Sequence, residues 1–202
     1  MKIRMSLFAV LLGCYGFIVV CKPARCAQSP TAADDLKLPL NAVLVLTPEF
    51  CATKFKQGSF WTTGRESFAV GKVACAELEP ALKPAFRSVS VASTPPTSGD
   101  AQLVLIPKFA NAHATTSAFA FSNREMDVFL EWTIKDAAGK TVWLQTVQGT
   151  SKHHMGNAFT HGHDVNLIAK DSVKDVAHQS ADKMEASVEL RKLVSNNAAP
   201  AK

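Results

Sequence analysis

The strongest pattern in the chain is an alternation of apolar and polar residues in two neighbouring segments. Apolar residues take every second position from Val128 to Ile134, and after a polar turn at 136–140 the alternation resumes at Val142. A period of two is typical of strands with one buried face, and Gly139 can supply the positive φ of a hairpin loop. We therefore predict an antiparallel hairpin with one face under a helix. The predicted core residues on that face are Trp132, Ile134, Val142 and Leu144.

Apolar runs and helical spacing predict the remaining elements. The runs Ala42–Thr47 and Leu103–Ile106 are short and aliphatic, which favours strands buried on both faces. Apolar residues recur at helical spacing from Gly71 to Phe86, and again in a last helix that starts with a capping-box-like pair at Ser172. This order of elements predicts an α+β fold. We expect a two-layer sandwich with a mixed, mainly antiparallel sheet and two helices on one face.

The amino-terminal segment has the order of a secretory signal. Lys2 and Arg4 precede an apolar run from Met5 to Cys21, and small residues precede a cut after Cys26. We therefore expect an exported protein that is periplasmic or associated with the outer membrane. Two alternatives stay open: a lipoprotein lipidated at Cys14, because residues 11–14 look like a lipobox, and an uncleaved anchor, because the apolar run just reaches membrane-spanning length.

The small, polar and Pro-containing stretches at both ends of the mature chain indicate the domain boundaries. The predicted partition is a signal peptide at 1–26, a linker at 27–40, a single α+β domain at 41–194 and a disordered tail at 195–202.

The overall charge does not indicate a nucleic-acid partner. Of the 22 Lys and Arg residues, four precede Asp34, the first acid, which leaves 18 bases against 17 acids in the mature part. Neither a basic run nor interleaved aromatic residues occur there, as nucleic-acid binding would require.

Two cysteines, Cys51 and Cys75, remain in the domain, and in an oxidising compartment such a pair predicts one structural disulfide. The alternative of a thiol nucleophile lacks a recognisable catalytic context.

Three stretches and their order carry a resemblance to a group of proteins. They are Val70–Lys72 ahead of the segment from Leu78 to Val89, then Ala101–Leu105, and then Asp136–Trp143 on the hairpin before the last helix. The pattern resembles small envelope accessory proteins of Gram-negative bacteria, of the lipopolysaccharide-assembly lipoprotein E and TolB amino-terminal-domain type. The resemblance implies a non-enzymatic domain that binds another envelope component near the outer membrane, and it carries over no site residue.

One cluster of residues could support chemistry. The chain has no nucleophile elbow, phosphate-binding glycine loop or zinc-protease motif, so we expect no enzymatic activity. Four of the six histidines fall between positions 153 and 163, and neutral imidazoles bind zinc or copper. The candidate ligands are His153, His154, His161 and His163, with the last two alternating on an extended segment. Incidental histidines in a polar loop are the other interpretation.

Two classes of function follow from these patterns. The first is a non-enzymatic accessory whose partner is an envelope protein or a lipid-associated component, with peripheral membrane association as one form of that attachment. The second is an exported metal-binding protein that uses the 153–163 loop. The sequence predicts no other cofactor.

Overall fold

A five-stranded sheet with helices on one side forms the framework of the domain. The computed structural model describes residues 37–58, 65–96, 101–115, 123–154 and 161–198. All of them belong to one compact unit that comprises residues 32–202. In chain order the elements are β1 (Leu38–Val45), α1 (Pro48–Cys51), β2 (Phe55–Gly58), β3 (Arg65–Phe68), α2 (Val70–Leu82), β4 (Phe86–Ala92), β5 (Leu103–Thr115), β6 (Asn123–Asp136), β7 (Thr141–His154), α3 (His161–Glu185) and α4 (Val188–Ala198).

The main sheet is mixed, as the sequence predicts. Its strand order is β4-β1-β5-β6-β7, and β2 pairs with β3 in a separate two-stranded sheet. β1 runs parallel to β4 and β5, whereas β5, β6 and β7 form an antiparallel meander. Two strands that pair in parallel need a crossover connection between them, and α2 lies in the connection from β1 to β4. The α+β class expected from the pattern is confirmed.

One face of the sheet is the core face, and the helices pack on it. The indole Nε1 of Trp132 donates a 2.8 Å hydrogen bond to Ser180 Oγ on α3, and the ring of Phe50 on α1 stacks on Phe109 with 4.8 Å between centroids. Burying alternate residues of each strand is the largest stabilising contribution to such a fold. The buried residues of β1 and β6 on this face are Leu38, Leu40, Ala42, Leu44, Met126, Val128, Leu130, Trp132 and Ile134.

A β-bulge at Val142 corrects the predicted core face of the hairpin. Ile134 pairs with Trp143 but Lys135 pairs with Thr141, so β7 holds one extra residue at this point. Each extra residue moves the following side chains to the opposite face of the strand. Consequently Trp143 lies on the core face, Val142 is only partly buried against the core, and Leu144 is 65% exposed on the other face. The prediction that Leu144 lies in the core is wrong.

The contact between α3 and β7 explains two small residues. A Cβ on Gly149 would lie 2.2 Å from the backbone nitrogen of Val176, so only glycine allows α3 to approach β7 this closely. One turn before Val176, Ser172 Oγ lies 2.8 Å from the carbonyl oxygen of Met126 on β6. Small and hydroxyl-bearing residues thus bring the helix down onto the antiparallel half of the sheet.

Several predicted boundaries differ from those observed. β1 begins at Leu38, inside the segment expected to be a linker, because Leu38 and Leu40 are buried while Pro39 between them is exposed. The register of β1 against β4 is irregular at this point, which is where a strand tolerates proline. α4 extends to Ala198, into the segment expected to be a disordered tail. The predicted signal peptide lies outside the described residues.

The described helices do not have the dimensions and hydropathy of a membrane span. Among residues 37–58, 65–96, 101–115, 123–154 and 161–198, no helix is both long and apolar enough to cross a bilayer.

Candidate functional site

The predicted metal-binding segment joins the end of β7 to the start of α3. His153 faces the helix side of β7, opposite Arg124 on β6. Its Nε2 atom lies 2.9 Å from Asp171 Oδ2 on α3, and the ring is about one quarter exposed. This imidazole therefore already has a carboxylate partner that orients it. Carboxylates orient histidines in this way both in metal sites and in purely structural pairs.

The geometry assumed for the other histidines needs a correction. The sequence favoured an extended segment on which His161 and His163 share a face, but α3 begins at His161, about three turns before the predicted start at Ser172. Residues two apart on a helix point roughly 200° apart around its axis. The two positions consequently do not share a face.

No complete metal-binding group occurs among the described side chains. Within that part of the chain, no cluster of three or more His, Cys, Asp or Glu residues is close enough to hold an ion. The side chains of His154, His161 and His163 are not among those described. Metal binding by this segment therefore stays a prediction.

Removing the two helix-start histidines tests it. If the segment binds zinc or copper, the double change of His161 and His163 to alanine should abolish stoichiometric binding measured by titration of the tag-free protein, because imidazole supplies the ligands. The change of His178 to alanine, an exposed position later on α3, is the matched control and should leave binding intact. Absence of zinc and copper binding by the unsubstituted protein at micromolar concentration would contradict the hypothesis.

The structure contains the predicted disulfide between Cys51 and Cys75. Their Cα atoms are 5.7 Å apart, within the normal range for this bond. The bond joins the end of α1 to the middle of α2, and both cysteines pack against the core. The 24-residue separation contains the β2–β3 pair. This location indicates a structural restraint, as the sequence predicts.

Apolar side chains also lie on the face of the sheet opposite the helices, which we call the outer face. Cross-strand partners share a face of a sheet, so Val43 and Val104, which are paired, lie together there. Ile106 on β5 and Leu144 on β7 both pair with Thr133 on the strand between them, so they lie on the same face. These four apolar side chains are half-buried or exposed. We define the outer-face strip as Val43, Val104, Ile106 and Leu144.

A groove runs along part of this strip. It is a cavity of about 290 Å³ with Val104 and Ile106 at its floor and Pro95 and Pro96 at one wall. Lys135 and residues 136–139 of the β6–β7 turn form the other wall. The arrangement combines an apolar floor with one cationic and one anionic side chain at the margin, which suits a peptide or protein surface of mixed character.

The outer-face strip was not predicted from the sequence, because a continuous apolar run indicates burial on both faces. In Leu103–Ile106, residues 103 and 105 are buried on the core face, while Val104 and Ile106 are only half-buried. Two predicted helices on one face cannot cover both faces of a five-stranded sheet. That imbalance was the available signal that some apolar residues would stay accessible.

Among the side chains that the structure describes, two glutamates have shifted pKa values, and both are at helix starts. A hydrogen bond from its own backbone N–H, and then one from the Thr47 hydroxyl, lower the pKa of Glu49. The pKa of Glu189 is lowered in the same way, with Ser187 as the hydroxyl donor. A depressed pKa in the folded state contributes stability above the unfolded-state pKa, and this contribution is lost as the pH falls. Helix capping explains both shifts without a catalytic role.

Sequence comparison identifies no relative. No protein-family model matches the chain, and no curated protein matches it.

Several solved structures are similar in outline. A minor lipoprotein from Acinetobacter baumannii matches with a TM-score of 0.44 and 10% identity, covering 82% of this chain and 98% of its own. A protein from Xanthomonas campestris has a TM-score of 0.49 and 4% identity over 72% of this chain and 86% of its own. Uncharacterized lipoprotein B from Nitrosomonas europaea has a TM-score of 0.42 and 14% identity, with coverages of 76% and 90%.

These three neighbours come from Gram-negative bacteria, and two of them are named lipoproteins. None of the three is named as the lipopolysaccharide-assembly lipoprotein E or the amino-terminal domain of TolB. The specific resemblance drawn from the sequence therefore stays a prediction. At TM-scores below 0.5 and these identities, the likeness carries no statement about function.

Proposed function

We propose that this protein is an exported, non-enzymatic accessory of the cell envelope, whose outer-face strip binds another envelope protein. The observation that carries the proposal is the unequal covering of the sheet. The core face is buried under helices, whereas the outer face keeps Val104, Ile106 and Leu144 accessible. Apolar residues grouped on an accessible surface are typical of protein-binding sites.

The groove specifies the kind of partner. Its floor of Val104 and Ile106 is apolar, and Lys135 at the margin can pair with a polar rim. Asp136 at the same margin uses Oδ1 within its own turn, where it accepts hydrogen bonds from the amides of residues 138 and 140. An apolar centre with a polar rim is the usual composition of a protein–protein interface. A partner segment with one or two apolar side chains, flanked by polar residues, matches this chemistry better than a uniformly charged ligand.

Export is supported independently of the groove. The first 26 residues have the charge and hydropathy order of a signal, and the domain holds a disulfide between Cys51 and Cys75. Disulfides persist in oxidising compartments and are rare in the cytosol. Both features favour an envelope protein as the partner.

The change Ile106→Asp tests the proposal. A carboxylate placed on the floor of the groove would have to be desolvated on binding, which we expect to weaken association at least tenfold. The measurement is co-purification from envelope membranes with the unsubstituted protein, followed by titration of the recovered component. His178→Asp is the matched control, because it introduces the same charge at an exposed position of α3, on the helix side of the sheet.

The expected pattern is one component retained by the unsubstituted protein and by His178→Asp but lost with Ile106→Asp. All three proteins should unfold at similar temperatures, since Ile106 is only half-buried. Equal recovery with Ile106→Asp would contradict the proposed surface. Binding to vesicles of anionic phospholipid, unaffected by Ile106→Asp, would contradict a protein partner.

A further inference from the structure

The two edges of the main sheet differ in how they are protected. β4 forms one edge, is 7 residues long, contains Arg87 and is followed by Pro95 and Pro96. Short length, charge and proline are the usual means by which an edge strand avoids pairing with another chain. β7 forms the other edge, is 14 residues long, and carries no charged residue from Thr141 to Ser151. Only β7 therefore resembles an edge that can accept a strand.

One hydrogen bond identifies which main-chain groups of β7 point outward. The amide of Thr150 donates to Asp175 Oδ2 on α3 at 2.8 Å, so it points away from β6. Because main-chain groups alternate along a strand, those of Leu144, Thr146 and Gln148 point the same way. Among the described strands, none pairs with this side of β7.

The open part of the edge has defined ends. At one end, the Asp175 carboxylate accepts the hydrogen bond of the Thr150 amide. At the other end, the bulge at Val142 interrupts the strand. Between them, residues 144, 145 and 146 are all exposed, although Gln145 lies on the helix side, opposite the buried Trp132. The helices therefore leave residues 144–146 uncovered, whereas Trp143 and Val147 on either side of them are buried.

We propose that this edge pairs with the same strand of a second copy of the chain, antiparallel about a two-fold axis at Thr146. The three outward-pointing residues are centred on Thr146, so Leu144 of one copy would pair with Gln148 of the other, and the reverse. A two-fold edge-to-edge contact requires such self-complementary antiparallel pairing. Three pairs supply about six main-chain hydrogen bonds.

Side-chain chemistry favours a second copy as the occupant. The paired segment is neutral, so no like charges oppose each other along it, and a Thr146–Thr146 pair is a favourable cross-strand contact. Two five-stranded sheets would then form one continuous sheet. A single strand pair buries less than the roughly 1,200 Å² of a standard interface. We therefore expect a weak dimer, with a dissociation constant in the micromolar range.

Opposite charges at the two-fold axis provide the test. In the proposed dimer, Thr146→Lys places two lysines opposite each other and should weaken dimerisation at least tenfold in sedimentation velocity, and Thr146→Glu should do the same. An equimolar mixture of the two variants should recover the dimer, because the introduced lysine of one copy then faces the introduced glutamate of the other. Recovery requires both variants to be folded, and it is specific to pairing at this position.

Ser90→Lys on the exposed part of β4, the opposite edge, is the matched control and should dimerise as the unsubstituted protein does. A monomer at all concentrations up to about 1 mM, far above the range expected for an interface of this size, would overturn the proposal. Two other results would also overturn it: a dimer that Thr146→Lys leaves unchanged, and a mixture that stays as monomeric as its components.

Discussion

Replacing Trp132 with alanine is expected to lower the free energy of unfolding by about 3–5 kcal/mol. The indole is fully buried on the core face of β6 under α3. Its removal leaves a large cavity and also removes the hydrogen bond to Ser180 Oγ. Since small domains have a total stability of about 5–15 kcal/mol, we expect a large fall in the unfolding midpoint in urea and in the melting temperature.

Two further variants separate the contributions of volume and hydrogen bonding. Trp132→Phe keeps most of the volume and removes the indole donor, while Ser180 Oγ still donates to the carbonyl oxygen of Val176 at 2.6 Å. Ser180→Ala instead leaves the buried indole N–H without this acceptor, which we expect to cost about 1–3 kcal/mol. Both effects should be smaller than that of Trp132→Ala.

Leu144→Ala is the matched control for the face of the hairpin. Leu144 is 65% exposed, so its truncation should change stability by less than about 0.5 kcal/mol. If Leu144→Ala were as destabilising as Trp132→Ala, the bulge at Val142 and the assignment of faces on β7 would be incorrect.

Replacing both Cys51 and Cys75 with serine is expected to destabilise the domain by about 3 kcal/mol. The bond closes a loop of 24 residues, and in the chain-entropy model a loop of this length restricts the unfolded state by about that amount. The same loss should follow from adding a reductant to the unsubstituted protein. The measurement is urea unfolding with and without reductant.

The control is the double serine variant itself, whose stability should not respond to reductant.

A local effect is also expected, because the closed loop contains β2, whose Phe55 packs edge-on against Phe109 with 5.9 Å between centroids. Hydrogen exchange should therefore increase first in β2 and β3. Two reactive thiols assigned to Cys51 and Cys75 in the denatured, unreduced protein would show that the bond does not form.

Local patterns were sufficient for many elements of this protein. The period of two in β6 identified its buried positions, including Trp132 and Ile134, because a strand repeats its facing every two residues. Gly139 has the positive φ of 80° that a hairpin turn requires. Two cysteines in a domain that follows a signal-like segment were enough to predict the disulfide. Each inference depends only on residues near in sequence or on simple counting.

Other features depend on pairing between distant segments. Leu144 was assigned to the core because the alternation continues through the turn, but one extra residue at Val142 reverses the facing of β7. A bulge leaves no periodic mark in the sequence, because it is decided by how β7 matches β6 and by the large Trp143 finding space in the core. The start of α3 at His161 was missed for a related reason, since the polar segment around it has no apolar stripe.

The sequence by itself thus determined the fold class, the hairpin and the disulfide of this protein. Only the tertiary structure decided which face of β7 is buried, which apolar residues stay accessible on the outer face, and which strands form the two edges of the main sheet. The physical reason is that strand facing and strand pairing are relations between segments far apart in the chain. A local period constrains each strand separately, whereas register, bulges and helix placement depend on all of them packing together.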